Sequence, residues 1–123
     1  MACLGMPKGT DEEKAARAKA LEEATLYAAS VPLKTMEASL KALPLALEMA
    51  RQGNPASASD AGVAALAAVA GIQGARLNVR INCAGLNDKA PAQPLLARAD
   101  AIVAEALELE KQVLEAVNNH IEL

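Results

Sequence analysis

Apolar residues recur along this chain at helical spacing, punctuated by short polar, proline and glycine stretches. Thr10-Asp11-Glu12-Glu13 reads as a capping box, in which Thr10 accepts from an exposed N–H, Glu13 reaches back, and the acids oppose the helix dipole. Behind it, Ala16, Ala20, Leu21, Ala24, Tyr27, Ala28 and Val31 form one stripe, with Tyr27 expected to pack in the core. Pro32 lacks an N–H and is expected to end or bend that helix. A second run, Leu33 to Gln52, places Met36, Leu40, Leu43, Leu47 and Ala50 on one side; Pro44 predicts a kink, and Gly53-Asn54-Pro55 stops it. A third run, Ser59 to Leu86, is rich in alanine and carries Gly62, Gly71 and Gly74. Glycine inside a helix costs ~1 kcal/mol relative to alanine, so these three call for a packing or ligand reason. After the turn Asn87-Asp88-Lys89, a last run from Ala92 to Asn118 sets Leu95, Ala99, Ile102, Ala106, Leu109, Val113 and Ala116 in a heptad seam. The expected fold is all-α: a single domain over residues 1–123, a helical bundle of about four long helices, some kinked at proline.

Composition sharpens this picture. The 123 residues include 30 alanines and 17 leucines, with one tyrosine and no phenylalanine or tryptophan, which excludes a β-sandwich or barrel. Plentiful leucine and a net charge of −3 exclude ordinary disorder. Alanine buries little surface, so the core is thin, and a homodimer is expected to supply the missing area. Twelve basic and fifteen acidic residues leave no cationic stripe, which disfavours nucleic acid. The most apolar stretch, Val63 to Ile72, is too short to cross a bilayer, so no membrane partner is expected. The N-terminus lacks the basic and apolar segments of a signal peptide. Cys3 and Cys83 belong to no CxxC or Cys/His cluster, and free thiols in a cytoplasmic protein, with no metal site, are expected.

Two polar clusters could carry chemistry. Gly53 to Asp60 is a hydroxyl-rich turn entering a helix, and its free backbone N–H groups suit a carboxylate or carbonyl oxygen. Asn54, Ser57, Ser59 and Asp60 stand there; Ser57 and Asp60 would serve equally as helix caps. Asp60, beside other polar groups, is the best candidate for proton transfer. Asn78 and Asn82 are four apart on a face that runs back to Gly74 and Gly71. They could hydrogen-bond a flat heterocycle against the backbone, or bridge to neighbouring helices. Arg76 and Arg80 share another face and are candidate carboxylate contacts, solvated surface arginines being the plainer alternative. The pairs Glu12–Glu13, Glu22–Glu23 and Glu108–Glu110 read as solvated helix faces, and His120 as a surface histidine.

Several segments resemble a known family in order and register. They are Met6-Pro7-Lys8, Thr10 to Arg17, Ala28 to Leu33, the Gly-Asn-Pro-x-Ser-x-Ser-Asp turn from Gly53, Leu77-Asn-Val-x-Ile-Asn82 and Leu86 to Lys89. The chain is similar, from Met6 to its last helix, to formiminotetrahydrofolate cyclodeaminases and methenyltetrahydrofolate cyclohydrolases. The resemblance implies an all-helical homodimer that binds a reduced folate and uses no cofactor beyond its tetrahydrofolate substrate. Its chemistry would close 5-formiminotetrahydrofolate to 5,10-methenyltetrahydrofolate with loss of ammonia, or hydrolyse the methenyl bridge to 10-formyltetrahydrofolate. Residue by residue, it places substrate binding at Asn54, Ser57, Ser59, Asp60, Asn78 and Asn82. Family members also carry a glycine-rich helix start and an aspartate held to be catalytic upstream of the Met-Pro-Lys-like motif, where this chain has Met1 to Gly5 alone. The resemblance therefore implies the C-terminal part of such a domain, with the N-terminal helices missing and weak turnover by the lone chain. The competing expectation is a non-catalytic helical oligomerisation module derived from the same family.

Overall fold

A computed structural model describes residues 2–121, in which helices α1 (Asp11–Leu40), α2 (Ala42–Gln52), α3 (Ala58–Ala84) and α4 (Ala92–His120) follow in order. Short 3-10 turns lie at Ala2–Gly5 and Pro55–Ser57, and no strand occurs among the described residues. The all-helical expectation holds, but the lengths differ from it. Three helices are long, at 30, 27 and 29 residues, while α2 has only 11.

The prolines explain the difference. Pro32 lies inside α1 and does not end it. Side-chain donors attend its turn, with Ser30 Oγ donating to the Tyr27 carbonyl at 2.6 Å and Thr35 Oγ1 to that of Val31 at 3.5 Å. Pro44 has the larger effect. It cannot donate to the Leu40 carbonyl, and its ring crowds that group, so the helix breaks at Lys41. Within α2, Pro44 then falls in the first turn, where its missing N–H has no helical partner to lose.

One buried cluster draws on all four helices. Met36, Leu43, Ile72, Val79, Ile102 and Val113 are its largest fully buried side chains, and alanine fills much of the rest. The second expected stripe is buried throughout (Met36, Leu40, Leu43, Leu47, Ala50). The α4 seam is likewise inward, with Ala99, Ile102, Ala106 and Val113 buried and Leu95, Leu109 and Ala116 packed against them. The α1 stripe is not. Tyr27 is 66 % exposed and Val31 45 %, so the expected core position of Tyr27 is corrected. The reason is geometric: α1 turns Leu26, Ala29, Leu33, Met36 and Leu40 to the core, and Tyr27 and Val31 lie on the opposite side of the helix.

Polar contacts lock the α3–α4 turn at that end. The Glu22 carboxylate accepts from the backbone N–H groups of Asn87 (2.8 Å) and Asp88 (3.3 Å), so it is a structural anchor and not the solvated acid expected. Lys89 Nζ donates to the carbonyls of Cys83, Ala84 and Leu86, closing the C-terminus of α3 where a cation also meets the helix dipole. Burial pushes the Cys83 thiol up, the Lys89 charge opposing the shift.

Glu37 of α1 and Arg98 of α4 form a two-point pair, with Nε at 2.5 Å and Nη2 at 2.8 Å from the carboxylate oxygens. Hydrogen bonds from Arg98 hold the Glu37 carboxyl below its usual range. A lowered folded value means that the pair's contribution is present above the ordinary glutamate pKa and is lost as pH falls through the folded one. Glu37→Gln is therefore expected to melt slightly below the parent at neutral pH and to match it in strong acid. The difference is small because both side chains are largely exposed. Melting curves across pH check this.

Candidate functional site

The stop at Gly53 and the restart at Ala58 build the first candidate cavity. Gly53 N–H donates to the Met49 carbonyl at 2.9 Å, and a Cβ at Gly53 would meet that same oxygen at 2.4 Å, so only glycine fits where the chain leaves α2. Asn54 Oδ1 accepts from the Ala56 N–H at 3.0 Å and sets the 3-10 turn. Ser57 takes the N-cap place of α3 without a side-chain capping bond, which leaves its hydroxyl uncommitted. The resulting cavity, about 390 Å³, is lined by Asn54, Ser57 and Asp60 on one side and by Leu45, Ala46 and Met49 of α2 on the other. Ser59 is exposed on the same first turn but does not line it. Three of the four polar residues expected in this turn thus converge on one apolar-walled slot.

Asn78 and Asn82 lie elsewhere. Asn82 Nδ2 donates to the Asn78 carbonyl at 2.9 Å, and the Asn78 side chain is exposed. From Asp60 to Asn78 is five turns of α3, so both point the same way from the helix axis, about 27 Å apart. A single slot within one chain therefore does not touch both clusters.

The arginines divide too. Arg76 donates to Asp100 Oδ1 from Nε at 3.0 Å and Nη2 at 2.6 Å, so the carboxylate it holds is internal and joins α3 to α4. Arg80 is exposed and borders an apolar cavity of about 470 Å³ between the end of α3 and the start of α4.

A basic cavity that the sequence reading missed lies one turn beyond Asn82. It measures about 360 Å³ and gathers Lys8, Lys14 and Arg17 beside Gly85 and Asn87. Its one carboxylate, Glu22, is occupied by the turn amides. Arg17 Nε is buried without a hydrogen-bond partner among the described residues, a position that costs about 1–3 kcal/mol unless something accepts from it. The signal was present in the sequence: Lys14 and Arg17 are three apart on α1, and Lys8 precedes the helix. Only the fold shows that they meet.

The described helices thus carry a turn with hydroxyl and amide groups at one cavity and, apart from it, a pocket lined by cations. The chain belongs to the formiminotransferase-cyclodeaminase family, whose model matches residues 1–101. It is 42 % identical over 121 residues to the methenyltetrahydrofolate cyclohydrolase of Methylorubrum extorquens, covering 98 % of this chain and 58 % of that protein. It is 38 % identical over 108 residues to the formimidoyltransferase-cyclodeaminase of Rattus norvegicus, covering 85 % of this chain and 20 % of the relative. The same-named protein of Dictyostelium discoideum is 34 % identical over 119 residues, with 97 % and 21 % covered. The chain thus spans a little over half of the first relative and about a fifth of the others.

Proposed function

We propose that this chain binds a reduced folate and serves the conversion of its one-carbon bridge, as the printed names of its relatives describe for them. Membership of the family carries the reading, and the two polar cavities support it. A reduced folate joins a pterin ring, rich in donors and acceptors, to a carboxylate tail. The amides of Asn78 and Asn82 suit the ring, and the Lys14–Arg17 pocket just beyond suits the tail, in place of the already paired Arg76. Asp60, with Asn54 and Ser57, suits proton transfer at the one-carbon centre where the second protomer of the proposed homodimer brings it to the Asn78–Asn82 face, about 27 Å away along its own helix. In hydrolysis, water adds to the methenyl carbon and gives one proton to a carboxylate placed as Asp60 is; the carbon–N5 bond then breaks, N5 takes the remaining hydroxyl proton, and the one-carbon unit stays on N10 as a formyl group. In cyclodeamination, N10 bonds to the carbon of the protonated formimino group, the bond from that carbon to the terminal nitrogen breaks, and the N10 proton leaves on the ammonia. No cofactor besides the substrate enters either step, and a cytoplasmic homodimer is the form proposed.

Titration with 5-formyltetrahydrofolate tests binding. At a hundredfold excess over Kd, the folded state is expected to gain about 2.7 kcal/mol, seen as a melting temperature higher by several degrees. Arg17→Ala is expected to weaken binding by ~10–100-fold through loss of a charge-assisted hydrogen bond. An unchanged melting temperature of the parent at millimolar folate refutes the proposal.

A further inference from the structure

The segment Pro55–Ala84 is by length and composition sufficient to cross a membrane, which corrects the shorter apolar stretch expected from the sequence. Its inner face is nonetheless buried in the bundle, and the sharper anomaly lies at its C-terminal end. There the fold brings three cations together and gives them no carboxylate of their own.

Lys8, Lys14 and Arg17 line one cavity of about 360 Å³, and none of them forms an ion pair among the described residues. Two other arginines show the contrast. Arg76 grips Asp100 and Arg98 grips Glu37, each through Nε and one Nη. Arg17 carries the same edge, yet its Nε is buried and donates to nothing among the described residues. A buried guanidinium N–H without an acceptor in its own chain calls for one from outside it.

The one acid in the cavity does not supply that acceptor. Both oxygens of Glu22 are held by the α3–α4 turn, Oε1 by the Asn87 N–H and Oε2 by that of Asp88. The carbonyls that end α3 would repel an anion, but those of Cys83, Ala84 and Leu86 are closed by Lys89 Nζ. Three cations against one carboxylate leave two positive charges around the cavity unmatched. The ligand that balances them is a dianion.

The floor of the cavity selects among dianions. Ala18 and Leu21 line it with the cations, and Leu21 lies one turn after Arg17 on the same side of α1. An apolar floor flanked by cations suits a short carbon chain with a carboxylate at each end. The planar Nε–Nη edge of Arg17 matches the two oxygens of one such carboxylate. Sulfate and phosphate carry the charge and have no carbon chain to cover Leu21.

We propose that the Lys8–Lys14–Arg17 cavity is a dicarboxylate site in its own right, which the glutamyl end of a folate and a free short-chain dicarboxylate occupy in turn, so that the free acid displaces the folate tail. The displacement rests on the folate reading above; the dicarboxylate site does not.

The Arg17 Nε–H resonance reads the site without any folate. It is assigned in a nitrogen–proton correlation spectrum of the full chain by its absence from Arg17→Lys. Glutarate is expected to shift it to saturation at millimolar concentration. The Nε–H resonances of Arg76 and Arg98, already held by Asp100 and Glu37, are expected to stay in place. Acetate and sulfate at equal ionic strength are each expected to bind about tenfold more weakly. Arg17→Ala is expected to keep its helicity by circular dichroism and to lose the glutarate-dependent rise in melting temperature. Should that variant lose helicity, the parent resonance decides alone. Saturating glutarate is expected to raise the apparent Kd of 5-formyltetrahydrofolate several-fold.

An Arg17 resonance that ignores glutarate, or that sulfate moves as readily, overturns the proposal. A folate affinity untouched by saturating glutarate overturns the shared occupancy. A chain that takes glutarate while its melting temperature ignores folate keeps the dicarboxylate site and refutes the folate reading. A chain that binds folate while Arg17 ignores glutarate does the reverse.

Discussion

Ile72→Ala is expected to remove about 2–5 kcal/mol of stability, read as a lower denaturant midpoint at unchanged m. Ile72 is fully buried in the middle of α3, the helix that packs against each of the other three. Deleting its outer carbons loses their transfer energy and leaves a cavity. Much of the shared core is alanine, whose short side chains cannot move in to close it. Domains of this kind have about 5–15 kcal/mol in total. With so few large side chains sharing the centre, the variant should be partly unfolded near body temperature. A loss below about 1 kcal/mol would mean that the helices slide together to close the gap, and the account of a thin, rigid centre would be wrong.

Asp60→Asn is expected to lower one-carbon turnover by ~10²–10⁴-fold, measured as the change in methenyl absorbance, while the folate-dependent rise in melting temperature persists. The amide keeps the size and hydrogen-bonding reach of the carboxylate and cannot accept the proton. Asp60 is exposed at the mouth of the Asn54–Ser57 cavity and makes no ion pair among the described residues, so its removal does not disturb the helix packing. Unchanged turnover would assign the proton to another group. Loss of both turnover and folate response would make Asp60 a binding residue.

The legible and illegible parts of this molecule separate along one line. Met36, Leu40, Leu43, Leu47 and Ala50 announce their burial by spacing alone, as does the α4 seam, since helical period is a local property. Thr10 is equally plain, accepting from the Glu13 N–H at 3.1 Å as its place before three acids suggests. Tyr27 misleads because its stripe has the right period and no neighbour to cover it. Pro32 and Pro44 look alike in sequence, and only the fold shows that α1 runs through the first and breaks before the second. Glu22 looks like a solvated charge, and Lys89 like one residue of a turn, until the α3–α4 connection folds.

The amino-acid order by itself determined the helical class, two of the stripes that pair within the bundle and the motifs of the formiminotransferase-cyclodeaminase family, because these depend on short-range periodicity and on motifs that stay contiguous. Tertiary structure alone decided that Lys8, Lys14 and Arg17 share a pocket, that Arg76 is already satisfied by Asp100, and that the two polar ends of α3 are separated by five rigid turns. Those outcomes depend on distances between segments remote in the chain, and helical spacing sets direction around an axis without setting what lies across from it.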